Sequence, residues 1–408
     1  MYIASARAGT RTRLGAVPRT VVALGVVSLL TDVSAEMITA FLPVYLLFSL
    51  NIGYVQFGLL DGLYTGATAV LRLVGGHVAD RLRRPKLVAG IGYGLSAATK
   101  LVFPAVGASA FGIGGVIAAD RAGKGLRTAP RDALISLSVP PEQLGTAFGV
   151  HRSMDTVGAM IGPIVTFLIL TNLGSAPTPF FVVSFGFAVL GLIVLGFFVP
   201  ERAQATASVG PRPSIKAGLA LLKDVPFRRA GMIAALLGLA TVSDAFVFVL
   251  VQRTTEIPLG WLPLLPLGTA LTFLLFAAPL GRLSDRIGRW PVFFGGHVLL
   301  LGVYLLLLAP AGGAPLAVAA LLMHGLFYAA TDGVLSAWTG AMIPESLRGS
   351  GLAVVQTGQA LARLVSSIAF GFLLQYATLS TAVLTAVGLL GVALLVVLVV
   401  TRKEESAS

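Results

Sequence analysis

Residues 75–86 read GGHVADRLRRPK, and residues 281–289 read GRLSDRIGR. In each, a glycine stands four residues before an Asp-Arg pair, further arginines follow, and a long apolar run precedes the whole. Asp80 and Asp285 are 205 positions apart, about half of the 408 residues. A second match at nearly the same offset pairs PPEQLGTAFG (140–149) with IPESLRGSGLA (343–353). Two duplicated halves account for both echoes.

Composition says what surrounds those halves. The chain is 56% hydrophobic and 11% charged, with a mean hydropathy of +0.91, against about a quarter charged in soluble domains. Most of its solvent is therefore lipid. A net charge of +12 would suggest nucleic acid in a soluble chain, but here the basic residues fall between apolar runs rather than on an aromatic-rich face, so no nucleic-acid partner is expected. The absence of cysteine excludes disulfides and thiol chemistry. His77, His151, His297 and His324 make no spaced ligand set, so no metal is expected.

A helix needs about twenty apolar residues to cross the hydrocarbon. By that ruler twelve spans begin near Val21, Tyr54, Lys86, Ala110, Thr146, Pro179, Ala230, Trp261, Pro291, Ala314, Leu352 and Thr378. Spans four, five, ten and eleven carry the most charge and amide. The connections alternate in charge: arginines and lysines precede the first span, follow the second, close the fourth at Arg127 and Arg131, fill the central linker and end the chain. The intervening turns hold none, except for Arg253 after span seven. The positive-inside rule then puts both termini in the cytoplasm of a cell-membrane protein. The basic N-terminal stretch is read as leading into an uncleaved first helix, because the apolar run after it is too long for a signal core and contains Asp32 and Glu36. The expected domains are 1–200, a cytoplasmic linker at 201–228 and 229–408, each flanking domain a six-helix bundle.

These strings together resemble the major facilitator superfamily, over essentially the whole chain. Its signature after the second helix is close to GxxxDRxGRR: Gly76, Asp80, Arg81 and Arg84 fit it, with Leu82 and Arg83 where the pattern has any residue and then glycine. Gly281, Asp285, Arg286, Gly288 and Arg289 fit it better. Two further patterns are those of the drug and proton antiporter branch. RxxxG in the fourth helix matches Arg121 to Gly125, with Lys124 where glutamine is usual, and GxxxGP in the fifth matches Gly158, Gly162 and Pro163. The resemblance implies an all-α membrane fold of twelve helices in two pseudo-symmetric bundles, working by alternating access. It also implies that Arg121 modulates proton transfer or meets an anionic group of substrate.

Ionisable residues inside lipid cost on the order of 3 kcal/mol at a helix centre and are functional candidates. LLTDVSAEMITAFLPVYL (29–46) places Asp32 and Glu36 at i, i+4 on one helix face. Two such carboxylates cannot easily both ionise in a low dielectric, so the pair can carry a proton; the alternative is that basic neighbours neutralise each and tie helices together. Those neighbours are Lys100, Arg121 and Lys124, with Arg152 and Asp155 in the fifth span; Asp120 and Arg121, being adjacent, are expected to point differently. Asp61 in the second span is a candidate external gate or a hydrated helix end. In the C-terminal half Asp244, His324, Tyr328, Asp332, Gln356, Gln359 and Arg363, with Phe246, Phe248, Phe327 and Trp338, suggest a greasy-walled cavity with few polar anchors.

Asp80, Arg81, Arg84, Asp285 and Arg286 are candidates for a charge cluster that holds one conformational state, with topology alone as the alternative. Gly158, Gly162 and Pro163 offer close packing and a bend. The expected function is proton-coupled export of a small amphipathic molecule, anionic if the cations of spans three to five meet it. Its partners are that molecule, protons and the bilayer. The expected state is a monomer that uses the proton gradient and no cofactor, since no phosphate-binding loop is present. The rivals are an importer or symporter on the same fold, a membrane-embedded enzyme and a metal exporter.

Overall fold

The computed structural model describes residues 18–64, 84–140, 143–201, 215–309, 312–344 and 347–405. In lipid every backbone amide must be satisfied within its own segment, and helices do this. The N-terminal half runs α1 (Arg19–Pro43, continued by a π-helical turn at Val44–Ser49), α2 (54–64), α3 (Pro85–Val102), α4 (Ala110–Ser136), α5 (Leu144–Leu173) and α6 (Pro177–Phe198). The C-terminal half runs α7 (in two pieces, Val225–Leu239 and Asp244–Thr254), α8 (Leu265–Ile287), α9 (Arg289–Leu306), α10 (Ala314–Gly340), α11 (Arg348–Tyr376) and α12 (Leu379–Glu405). Ten of these helical segments are long and apolar enough to cross a membrane. The exceptions are α2, of which eleven residues are described, and α4, whose six charges between Asp120 and Asp132 defeat a hydropathy criterion.

Within the N-terminal half α1 is central, packing on α5 and α6, while α3 packs on α4. The α1–α5 contact is close because Gly158 lies on the Leu29 backbone, and a Cβ on Gly162 would sit 2.8 Å from that of Glu36. Phe41 stacks on Phe180 (3.7 Å between centroids) and Phe103 on Phe181 (5.2 Å), filling the core between α1, α3 and α6. The C-terminal half repeats the theme with α8 on α10 and α9 on α10. Outward faces carry bare apolar side chains such as Phe111, Leu275 and Leu395, as lipid contact requires.

The linker contains a short helix, Ile215–Ala220, which docks on α11 through Gly218 and Ser350. The sequence suggested only a tether there. Asp80 and Arg81 lie outside the described residues. Arg84, Asp285 and Arg286 are all exposed at the end of the molecule where α1 begins and α12 finishes, called the basic end below.

Candidate functional site

The two halves meet at the far end. Phe167 packs on Trp261 (5.4 Å between centroids), and a Cβ on Gly260 would touch Thr171 at 3.4 Å. The α2 glycine Gly58 lies on the Ser367 carbonyl of α11, the Gly371 position on the Tyr54 carbonyl, and the Val55 amide donates to Gln375 Oε1 at 3.1 Å. Arg253, the residue that broke the charge alternation, lies over the Tyr54 ring (5.3 Å) and near that of Phe48 (6.0 Å), so its charge joins α7 to α1 and α2. Towards the basic end a Cβ on Gly149 or Gly281 would meet no atom of the described residues within 4 Å.

Between these ends lies a cavity of about 520 Å³ walled by both halves: α1 and α2 on one side, α7, α8, α10 and α11 on the other. Among the described residues four carboxylates reach it, Glu36, Asp61, Asp244 and Asp332, with one cation, Arg363, and the rings of Tyr64, Phe248, Phe273 and Tyr328. The backbone of α7 is unwound at Thr241–Ser243, where it borders the cavity, a place where irregular backbone is tolerated at membrane depth. The break is held by neighbours: Tyr304 accepts from the Val242 amide (2.8 Å), and Ser366 donates to the Thr241 carbonyl (2.7 Å). Asp244 opens the second piece of α7. It accepts from the Tyr328 hydroxyl (2.6 Å) and lies 3.6 Å from His324 Nε2, and Arg363 donates to the same hydroxyl oxygen at 3.1 Å. Asp61 accepts from Ser367 of α11 at 2.9 Å, which ties α2 to the opposite half.

Behind the N-terminal wall the charges run as a ladder along α1, α4 and α5. At the top, Asp120 takes Lys100 and Arg121 together, with Ser96 donating as well. Asp120 and Arg121 thus pair with each other, contrary to the expectation from their adjacency: a long guanidinium stem folds back on its neighbour when both are desolvated. The Tyr64 ring covers the Arg121 guanidinium at 3.8 Å, and Tyr64, not Arg121, faces the cavity. About two turns along α4 towards the basic end, Arg127 lies 3.6 Å from Asp32 and 4.6 Å from the Tyr93 ring centroid. A further turn on, Ser28 donates to Asp155 at 2.7 Å, and Arg131 lies 3.9 Å from the same carboxylate.

The structure therefore brings Glu36, Asp244, Tyr328 and Asp332 to the cavity and sets His324 just behind it. Asp32, Arg121 and Asp155 stand in the ladder, and Lys124, on α4 with Arg121, is not on the cavity wall. Lys100, Arg152, Gln356 and Gln359 are not on the wall: Lys100 is 1% exposed on Asp120, the Arg152 side chain is 67% exposed beside Asp155, Gln356 is exposed, and Gln359 packs by Gly238. Of the aromatics, Phe246 packs on Phe57 and Phe370, Phe327 on His297, and Trp338 on Trp290; Phe248 and Tyr328 line the cavity. Tyr64 escaped sequence reasoning because nothing in its local pattern marks it. Arg127 and Arg131 were assigned to topology, yet are 4% and 6% exposed. The α7 break did leave a signal: Ser243-Asp244 is a helix start inside an apolar run.

Comparison with known proteins agrees with this architecture. The family model described as Major Facilitator Superfamily matches residues 24–265 and 254–408. An uncharacterized MFS-type transporter of Methanocaldococcus jannaschii is 30% identical over 359 residues, 86% of this chain and 87% of that one. An uncharacterized protein of Mycobacterium tuberculosis is 38% identical over 164 residues, 40% of this chain and 39% of its own. Among solved structures, the nucleoside transporter NupG superposes with a TM-score of 0.80 at 16% identity, covering 93% of this chain and 98% of that one. A bacterial homolog of the human lysosomal transporter Spinster, solved inward-facing and unoccupied, gives 0.73 at 14% identity over 97% and 98%. With two bundles of apolar helices closed around a shared cavity, and a family match that spans both, this chain belongs to the major facilitator superfamily and is a multi-pass membrane transporter.

Proposed function

We propose that this transporter is a proton-coupled exporter of a small amphipathic organic molecule, acting in the cell membrane with both termini in the cytoplasm and catalysing no reaction of its own. One observation carries the reading. Glu36 stands on the cavity wall while Asp32, one turn away on the same helix, stands in the charged ladder behind it. A proton exchanged at this pair changes the charge that the cargo meets. The halves pack on each other at the far end, Phe167 on Trp261, and export requires the cavity to take up cargo from the opposite, cytoplasmic end. Asp32 and Glu36 carry the proton, Arg121 fixes the charge of their surroundings, and Asp244, Tyr328 and Asp332 with Arg363 hold the cargo. Among the described residues of the wall, four carboxylates against one arginine favour an uncharged or cationic cargo over the anionic one that the cations of α3 to α5 suggested.

The experiment is transport in inside-out membrane vesicles, with cargo chosen by a thermal-shift screen of the purified protein against metabolites and antibiotics. Export coupled to protons appears as accumulation in those vesicles that collapses with the proton gradient. Accumulation driven in right-side-out vesicles instead would establish the importer.

A further inference from the structure

The seam between α2 and α11 joins the two halves, and small residues set its spacing. Gly58 lies on the Ser367 carbonyl, Gly62 on the Leu364 side chain and Gly371 on the Tyr54 carbonyl, while a Cβ on Gly53 would sit 2.8 Å from Gln375 Oε1. Phe57 closes the seam against α7, edge-on to Phe246 with 5.0 Å between centroids. Contacts of this kind are individually weak and have little directionality. Asp61 differs from them. It stands at the inner end of the seam, where α2 meets the cavity wall, and it accepts from the Ser367 hydroxyl of the opposite half at 2.9 Å. Ser367 is fully buried. A hydrogen bond to a carboxylate is stronger and more directional than one between neutral groups, so this contact is lost abruptly when the helices part.

We propose that Asp61 is a positioning residue for transport, and that its bond to Ser367 is the latch that holds the far end shut. Alternating access requires α2 to leave α11 when that end opens. The glycine packing then separates, and the Asp61 carboxylate exchanges the Ser367 hydroxyl for water or for a polar group in the cavity. Because the same carboxylate lines the cavity, a cationic or N–H group bound there competes with Ser367 and favours opening. The close packing gives the seam its fit; the latch sets the threshold for leaving it. This inference goes beyond the proton-coupled reading above, since it requires neither Asp32 nor Glu36 and holds for import as for export.

The test needs no cargo. The chain contains no cysteine, so Ala270→Cys, on the cavity wall in α8, gives a single reporter in the full chain. In sealed vesicles a membrane-impermeant maleimide is confined to the far-end face, and the initial labelling rate follows the fraction of molecules open to that face. Ser367→Ala is expected to raise this rate about tenfold, and Asp61→Ala to raise it as much. The double variant is expected to match the single ones, because each removes the same bond. Asp61→Leu takes the place of Asp61→Ala if that variant fails to fold. Maleimide confined to the basic-end face separates a latch from general loosening: from that side the rate is expected to stay level or fall. Unchanged far-end rates in the single variants, additive effects in the double variant, or a rise from both faces would overturn the latch.

Discussion

Arg127 of α4 lies 3.6 Å from Asp32 of α1, with the arginine side chain 5% and the aspartate side chain 14% exposed. Such a pair contributes little net stability against an apolar replacement, yet breaking it strands a charge. Arg127→Gln alone is therefore expected to destabilise the protein by about 3 kcal/mol, while Arg127→Gln combined with Asp32→Asn regains most of the loss. Thermal unfolding of the three variants in one detergent measures the difference.

The GxxxGP glycines of α5 make a sharper structural prediction. A side chain at Gly158 would press on the Leu29 backbone, which cannot move aside, whereas one at Gly149 meets none of the described residues within 4 Å. Gly158→Val is expected to lose folded protein by several kcal/mol of overpacking, at least the ~1–3 kcal/mol typical of cores. Gly149→Ala is expected to be silent. Fluorescence-detected size-exclusion chromatography of the two variants separates them.

Tyr328 joins two charges, donating to Asp244 at 2.6 Å and accepting from Arg363 at 3.1 Å. Tyr328→Phe leaves both ions short of a partner beside the cavity, at a cost of about 1–3 kcal/mol. The expected outcome is cargo affinity reduced about tenfold with the fold retained, read by isothermal titration against a cargo from the thermal-shift screen.

The far end supplies a test of motion. The chain contains no cysteine, so paired cysteines at Thr171 and Gly260, whose side-chain positions lie within 3.4 Å, can be introduced without background. Oxidation is expected to cross-link α5 to the segment before α8 and to stop transport, and reductant is expected to restore it. Full transport in the cross-linked protein would contradict rocking of the halves about this contact.

Much of this fold was legible because lipid simplifies the problem. Span starts read from apolar length fall within a few residues of the observed helices at Arg19, Pro85, Ala110, Leu144 and Ala314. The apolar ruler also placed α4 at Ala110, although its six charges between Asp120 and Asp132 made it one of the weaker spans. The site was less legible, because which side chain faces a cavity depends on helix rotation. Lys100 and Glu36 are both ionisable residues deep in apolar helices, yet one is sealed on Asp120 and the other faces the cavity. Arg127 looked like a topology marker because its partner, Asp32, is 95 positions away in sequence. The unwound turn at Thr241–Ser243 was written in local terms, as a serine cap and an aspartate, but inside a run whose apolar length argued for an unbroken helix.

The account stands on a proton exchanged at Asp32 and Glu36 while cargo occupies the neighbouring cavity. Proteoliposomes loaded with a pH-sensitive dye, given a cargo identified by thermal shift, measure this directly. The wild-type protein should move protons against the direction of cargo, and Asp32→Asn and Glu36→Gln should each abolish proton movement while still binding cargo. Undiminished proton movement in both variants would contradict the account.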